Sequence, residues 1–210
     1  TYTVTLVVTD NRGCQDTVQK QVYVPAPFEF TFNNSATCLG DAMDFTPVLV
    51  APLTDSLVFF NWNFGDPTSG IYNNSTLRNP SHLYSQPGVY TVSLQATDIN
   101  NCSATEFLQV TVNPLPLPAF EYTVGSCDSI VSFTDLSDGN GASIIQWIWK
   151  YGDGQSDTIN APLNPDVTHK YMIPALYTVE LTVVHADTCS QVYSTDVLAS
   201  PCIQDTFSER

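Results

Sequence analysis

The chain has 210 residues, of which 21 are Asp or Glu and 6 are Lys or Arg, for a formal net charge of −15. Only 13% of residues are charged, so the acidity reflects scarce bases. Six scattered cations cannot neutralise a phosphate backbone, and an anionic bilayer repels such a chain, which excludes nucleic-acid binding and direct membrane insertion. With 43% hydrophobic residues the chain carries enough apolar area to fold, and no apolar run is long enough to span a bilayer.

The chain opens at Thr1 with neither an initiating Met nor a signal sequence, as expected of a processed product or a segment of something larger. Its first element, Tyr2-Thr3-Val4-Thr5-Leu6, alternates apolar and polar residues and predicts a strand with one dry face. The same string returns as Tyr90-Thr91-Val92-Ser93-Leu94 and as Tyr177-Thr178-Val179-Glu180-Leu181, at offsets of 88 and 87 residues. Cys14, Cys102 and Cys189 keep the same period, and Cys38 and Cys127 form a second set 89 apart. Trp62-Asn63-Phe64-Gly65-Asp66 returns 87 residues later as Trp149-Lys150-Tyr151-Gly152-Asp153. Three markers on one period predict tandem copies of one unit. Residues 1–24 are then the last strands of a truncated copy, 25–113 and 117–200 are whole copies, and 201–210 is a tail or the start of a further segment.

Pro25-Ala26-Pro27 opens the first whole copy as a short, stiff connector. Phe28, Phe30 and Phe32 alternate along its first strand, and the Trp62 block follows on a central strand. The strand at Tyr90 is nine residues long, about 30 Å. Asp98-Ile99-Asn100-Asn101 turns the chain, and Phe107, Val110 and Val112 mark the return. Pro114-Leu115-Pro116-Leu117-Pro118 is the second connector. Phe120, Tyr122 and Val124 then repeat the opening alternation, followed by Val131 and Phe133, and by Ile145, Trp147 and Trp149 after a Gly-rich loop. Six or seven short strands per copy, with no convincing helical stripe, predict an all-β chain of tandem β-sandwiches strung as a rod.

These residues resemble the polycystic-kidney-disease (PKD) repeat, whose fold is an immunoglobulin-like sandwich. The resemblance rests on Trp62, Phe64, Gly65, Asp66, Asn79-Pro80, His82, Tyr84, Pro87-Gly88, Tyr90 and Asp98 in one copy. In the other it rests on Trp149, Tyr151, Gly152, Asp153, Asn164-Pro165, His169, Tyr171 and Tyr177. The added cysteines are similar to those of PKD repeats in large surface proteins of gliding and related Bacteroidota. Three positions depart from the pattern: Pro67 replaces the second Gly of the Gly-Asp-Gly turn, Ala175 replaces the Gly of Pro-Gly, and His185 stands in the place of Asp98. The first departure requires a different turn.

Each recurring side chain has a functional and a structural reading. Trp62 and Trp149 are sugar-stacking platforms if exposed and core anchors if buried; recurrence in both copies favours the core. His82 and His169 lack the nucleophile and orienting acid of a catalytic base in any recognisable motif, so a hydrogen-bonded structural role is expected, and no enzyme activity. His185 reads as an exposed turn residue. Asp135, Asp138 and Asn140 are the best calcium candidates, although no complete calcium loop is present, and the expectation is no cofactor.

All six cysteines, Cys14, Cys38, Cys102, Cys127, Cys189 and Cys202, are disulfide candidates. Cys38 and Cys102 fall at opposite ends of a sandwich about 30 Å tall, whereas bonded cysteines keep their Cα atoms within about 7 Å. That disfavours Cys38–Cys102 and leaves Cys38–Cys189, across successive copies, and Cys127–Cys202, inside one. The resemblance to Bacteroidota proteins also makes Thr17, Ser56, Ser129 and Thr158, each in an Asp-Ser/Thr-aliphatic triplet, candidate O-glycosylation sites. It implies an extracellular or cell-surface protein whose repeats are structural or adhesive spacers meeting other copies, surface proteins or glycans. The alternative is an accessory substrate-binding module of a secreted polysaccharide hydrolase or protease.

Overall fold

A computed structural model describes residues 1–22, 24, 28–35, 37–51, 57–125 and 129–199. The first connector, Ser56, Cys127, Cys202 and the tail 201–210 therefore lie outside the described residues. The chain divides into two compact units. One comprises Thr1–Ser35, Asp44–His82 and Thr91–Val110; the other comprises Ala36–Met43, Leu83–Tyr90 and Thr111–Arg210.

The chain opens with an antiparallel hairpin of β1 (Tyr2–Thr9) and β2 (Gln15–Val22), paired along its whole length from Tyr2↔Val22 to Thr9↔Gln15. It forms a sheet of two strands only, and every side chain in it is exposed.

The first whole repeat holds β3 (Glu29–Asn34), β4 (Thr37–Cys38), β5 (Ala42–Ala51), β6 (Leu57–Asn63), β7 (Asn74–Ser75), β8 (Ser81–Leu83), β9 (Gly88–Asp98) and β10 (Ser103–Asn113). They form two sheets, in the orders β3-β5-β8 and β4-β10-β9-β6-β7. Period-2 patterning does the folding: Phe30 and Phe32 on β3 and Val92, Leu94 and Ala96 on β9 turn inward while their neighbours face water. Trp62 is wholly buried, with Phe32 edge-on at 5.1 Å and Phe45 at 5.6 Å. These rings close the gap between the sheets in offset and edge-to-face geometries that aromatic quadrupoles favour.

The second repeat holds β11 (Phe120–Val124), β12 (Ile130–Asp135), β13 (Ile144–Lys150), β14 (Ser156–Asn160), β15 (Val167–Lys170), β16 (Ala175–His185) and β17 (Ser190–Ala199). Its sheets run β11-β12-β15 and β14-β13-β16-β17. Phe120 meets Trp149 edge-on at 5.0 Å, so Phe120 takes the place of Phe32, not of Phe28. Tyr122 and Val124 alternate with it as expected, opposite the buried Phe133 and Val131, but remain 39% and 40% exposed. Trp147 joins the core and donates its indole N–H to Asp135.

The second connector is partly structural. Leu117 exchanges both backbone hydrogen bonds with Asp138, and Leu136 donates to the carbonyl of Ala119. Pro116 is buried. Leu117 and Ala119 thus act as an edge of the second repeat, where prolines are tolerated because no ladder bond is asked of them.

Candidate functional site

The recurring motif residues assemble into one constellation, built twice. The central strands, β6 and β13, present Trp62 and Trp149 inward. Burying an indole strands its N–H unless it is bonded, and each finds a carbonyl fifteen or sixteen residues on: Trp62 Nε1 donates to Leu77 O at 2.9 Å and Trp149 Nε1 to Pro165 O at 3.1 Å. Neither Trp offers a face to a sugar.

Two residues later Phe64 and Tyr151 are buried in turn, and a glycine follows. Gly65 and Gly152 have φ of +70° and +80°, and a Cβ at either would lie 2.4 Å from Thr91 O or 2.6 Å from Thr178 O. The turn therefore needs glycine twice over, for its left-handed backbone and for its closeness to the neighbouring strand.

The turns then diverge. In the second repeat Tyr151 N donates to Gln155 O, and Gly154 takes φ of +92°. Pro67 stands in its place in the first repeat, and proline cannot adopt positive φ. There the same strand-end bond, from Phe64 N, reaches Asn73 O after a detour through a 3₁₀ segment, Pro67–Asn73.

Asp66 and Asp153 project from these turns onto His82 and His169. His82 Nε2 lies 3.2 Å from Asp66 Oδ2, and His169 Nε2 lies 2.7 Å from Asp153 Oδ2. Each imidazole stacks flat on the motif aromatic, on Phe64 at 4.4 Å and on Tyr151 at 3.9 Å. Burial opposes ionisation of both carboxyls. Hydrogen bonds overcome it, from Thr68 and His82 to Asp66 and from Gln155 and His169 to Asp153, so both sit below the ordinary carboxylate range.

Tyrosines complete each set. Tyr84 packs on Tyr90 at 4.1 Å and Tyr171 on Tyr177 at 4.2 Å. The outer hydroxyls tie down the preceding loop, Tyr90 to Gln86 O and Tyr177 to Ile173 O, each at 2.8 Å. Tyr171 donates to Tyr151 O, and Tyr151 to Asp157. Burial first, with Asp157 against one and Asp153 against the other, pushes both phenols up. They stay neutral donors.

Chemically the constellation is a clasp. Nucleophile activation places an imidazole between hydroxyl and carboxylate. At Asp66 the carboxylate stands in the middle, taking the Thr68 hydroxyl on one oxygen and facing His82 with the other.

The other sequence candidates fall elsewhere. Asp135 accepts from Ser137 on one oxygen and from Trp147 on the other, and Asp138 accepts from Asn140 N. These acids stabilise a loop, and among the described residues no three His, Cys, Asp or Glu side chains gather as a metal site. Thr17 and Thr158 are exposed on strands, whereas Ser129 is half-buried with φ of +57°.

His185 is a correction: it is fully buried, and both its ring nitrogens lack hydrogen-bond partners. It ends β16 on the inward side, in register with Val179, Leu181 and Val183. Asp98, its counterpart, caps the turn by accepting from Asn100 N and Cys102 N; beside His185, Asp187 takes over by accepting from Cys189 N.

Cys38 and Cys189 form a disulfide with Cα atoms 5.6 Å apart, joining positions 151 residues apart. Cys14 and Cys102, disulfide candidates by sequence, are free thiols. Cys102 precedes β10 while Cys38 pairs beside Asn113 at its far end, so a full strand separates them.

Comparison with known proteins follows the repeat. The family model "PKD domain" matches residues 24–112 and 114–199. Collagenase ColA of Bacillus cereus is 33% identical over 84 residues, which is 40% of this chain and 8% of that protein. The chain thus spans a small part of that relative. Among solved structures, the PKD1 domain of Vibrio cholerae metalloprotease PrtV is 23% identical, covering 41% of this chain and 98% of that one, with a TM-score of 0.36. The PKD1 domain of Vibrio anguillarum Epp is 19% identical over 42% of this chain and 96% of that one, with a TM-score of 0.38.

Proposed function

This chain belongs to the PKD domain family, and from that premise we propose that it is a non-catalytic, load-bearing spacer in a large secreted or surface-anchored bacterial protein. One observation carries the reading. The motif side chains are spent inside each repeat, on core packing and on bonds to one another, and the described disulfide bonds one repeat to the next. Side chains held this way stiffen a fold and offer no open site to a substrate. The disulfide also fits an oxidising, extracellular setting. Among the described residues no helix is long and apolar enough to cross a membrane.

Load-bearing is testable by pulling on the two ends of single molecules. Force applied there passes through the disulfide and bypasses the 151-residue segment between Cys38 and Cys189. Reduction should release about 50 nm of additional contour length. Equal lengths before and after reduction would defeat the proposal.

The likeness of one repeat to part of a collagenase supports a second reading, an accessory module that holds an insoluble substrate for an attached hydrolase. Co-sedimentation with fibrillar collagen and with insoluble polysaccharides separates the two. The spacer stays in solution, and saturable binding that survives added salt favours the accessory module.

A further inference from the structure

The three hairpins that carry Cys14, Cys102 and Cys189 end in one and the same turn. Its closing bond runs from Asp10 N to Cys14 O, from Asp98 N to Cys102 O and from His185 N to Cys189 O, at 2.9, 2.9 and 2.8 Å. Its inner bond runs from Gly13 to Asp10, from Asn101 to Asp98 and from Thr188 to His185. The residue before each cysteine is left-handed, with φ of +84°, +63° and +74°. One backbone device therefore presents the three thiols. In one of its three occurrences the thiol is bonded, and its partner is the cysteine at the start of the repeat before its own.

We propose that Cys102 is the receiving end of the same staple. It bonds to a cysteine holding Cys38's position in the repeat whose last strands are β1 and β2. The separation of 151 residues, counted back from Cys102, puts that partner about 50 residues ahead of Thr1 in the polypeptide. Cys102 is only half-buried and remains a free thiol in the structure, so it is available to such a partner. Its own repeat cannot supply one, because Cys38 is already bonded to Cys189. The bond forms by loss of two electrons and two protons from the two thiols. A protein disulfide of the thiol-exchange class takes them up and becomes a dithiol.

The staple has a mechanical consequence that rests on the spacer reading. Cys127, the sequence counterpart of Cys38, lies 25 residues after Cys102. If each repeat is bonded to the next but one cysteine set in this way, the loops overlap, and tension finds only short stretches of chain to extend between successive disulfides.

The test is peptide mapping of the natural polypeptide, including the repeat ahead of Thr1, digested without reduction. The expected result links the Cys102 peptide to an upstream cysteine peptide and Cys38 to Cys189. Cys102→Ser should convert that upstream cysteine from unreactive to fully alkylated by iodoacetamide. If the variant does not fold, mapping of the unaltered chain still decides. Alkylation of Cys102 in the oxidised polypeptide overturns the proposal, as does a bond from Cys102 to Cys14 or an upstream repeat lacking the cysteine. Substrate binding would overturn the spacer reading and leave the staple intact, and a free Cys102 does the reverse.

Discussion

The hairpins β1–β2 and β16–β17 share the Tyr-Thr-Val string, the turn and the cysteine, yet their environments are opposite. Val4, Leu6 and Val8 are 54%, 57% and 57% exposed, and their counterparts Val179, Leu181 and Val183 are 0% exposed. The alternation says which face of a strand seeks a core. Whether a core is there depends on other strands. β16 has β13 beside it, with Trp149 opposite Leu181, and Phe120 and Phe133 in the same core cluster. β1 has β2 alone. The same apolar residues stabilise a hairpin only where facing strands remove their area from water, because the hydrophobic effect scales with that area.

The largest break in this comparison comes from the ring that backs β16. In the 210-residue chain Trp149→Ala should cost about 3–5 kcal/mol in denaturant unfolding and Leu6→Ala less than about 0.5 kcal/mol, whereas a polypeptide carrying the rest of the β1–β2 repeat should bring the Leu6 cost up to a core value. Similar losses at both positions would mean that the β1 face is covered in solution. Reducing Cys38–Cys189, or replacing Cys38 by Ser, frees a 151-residue loop and should cost about 2–5 kcal/mol, seen as a lowered melting temperature that dithiothreitol reproduces.

A smaller effect tests how β16 is approached from outside its sheet. Gly152→Ala meets both a positive φ and the carbonyl of Thr178, whereas Gly154→Ala meets a positive φ in open space. The first should cost about 1–3 kcal/mol more than the second by thermal unfolding. Equal costs would show that backbone conformation alone demands the glycine.

The smallest effect is one of pH. Asp66 and Asp153 have folded values below their ordinary one, so their contribution is complete above about pH 4 and is lost as pH falls through the lowered values. The wild type should lose stability in that acid range, and Asp66→Asn with Asp153→Asn should flatten the decline. An unchanged slope would place the acid sensitivity elsewhere.

Much of this was legible in the sequence because tandem repetition is written residue by residue. A side chain that recurs at 87 or 88 residues, as Trp62, His82 and Tyr90 do, fits one place in one fold. His185 was misread because the repeat position, an Asp at a turn, outweighed its place on the inward side of β16. Period 2 from Val179, Leu181 and Val183 through His185 was the signal that could have found it. Tyr122 and Val124 keep the expected alternation, opposite the buried Phe133 and Val131, but how far they are covered was not in the pattern. The closeness of Gly65 and Gly152 to the neighbouring strand left no sequence trace beyond the glycines themselves.

The repeat, the strand faces and a changed turn at Pro67 were readable along the chain, since each follows from local stereochemistry or from two-residue periodicity. Only the packed fold settled which apolar faces are dry and which carboxylate meets which imidazole, and it selected Cys38–Cys189, a pairing that strand length had already left open. Those outcomes depend on distances between segments far apart in the chain, and spacing along a sequence does not encode distance through space.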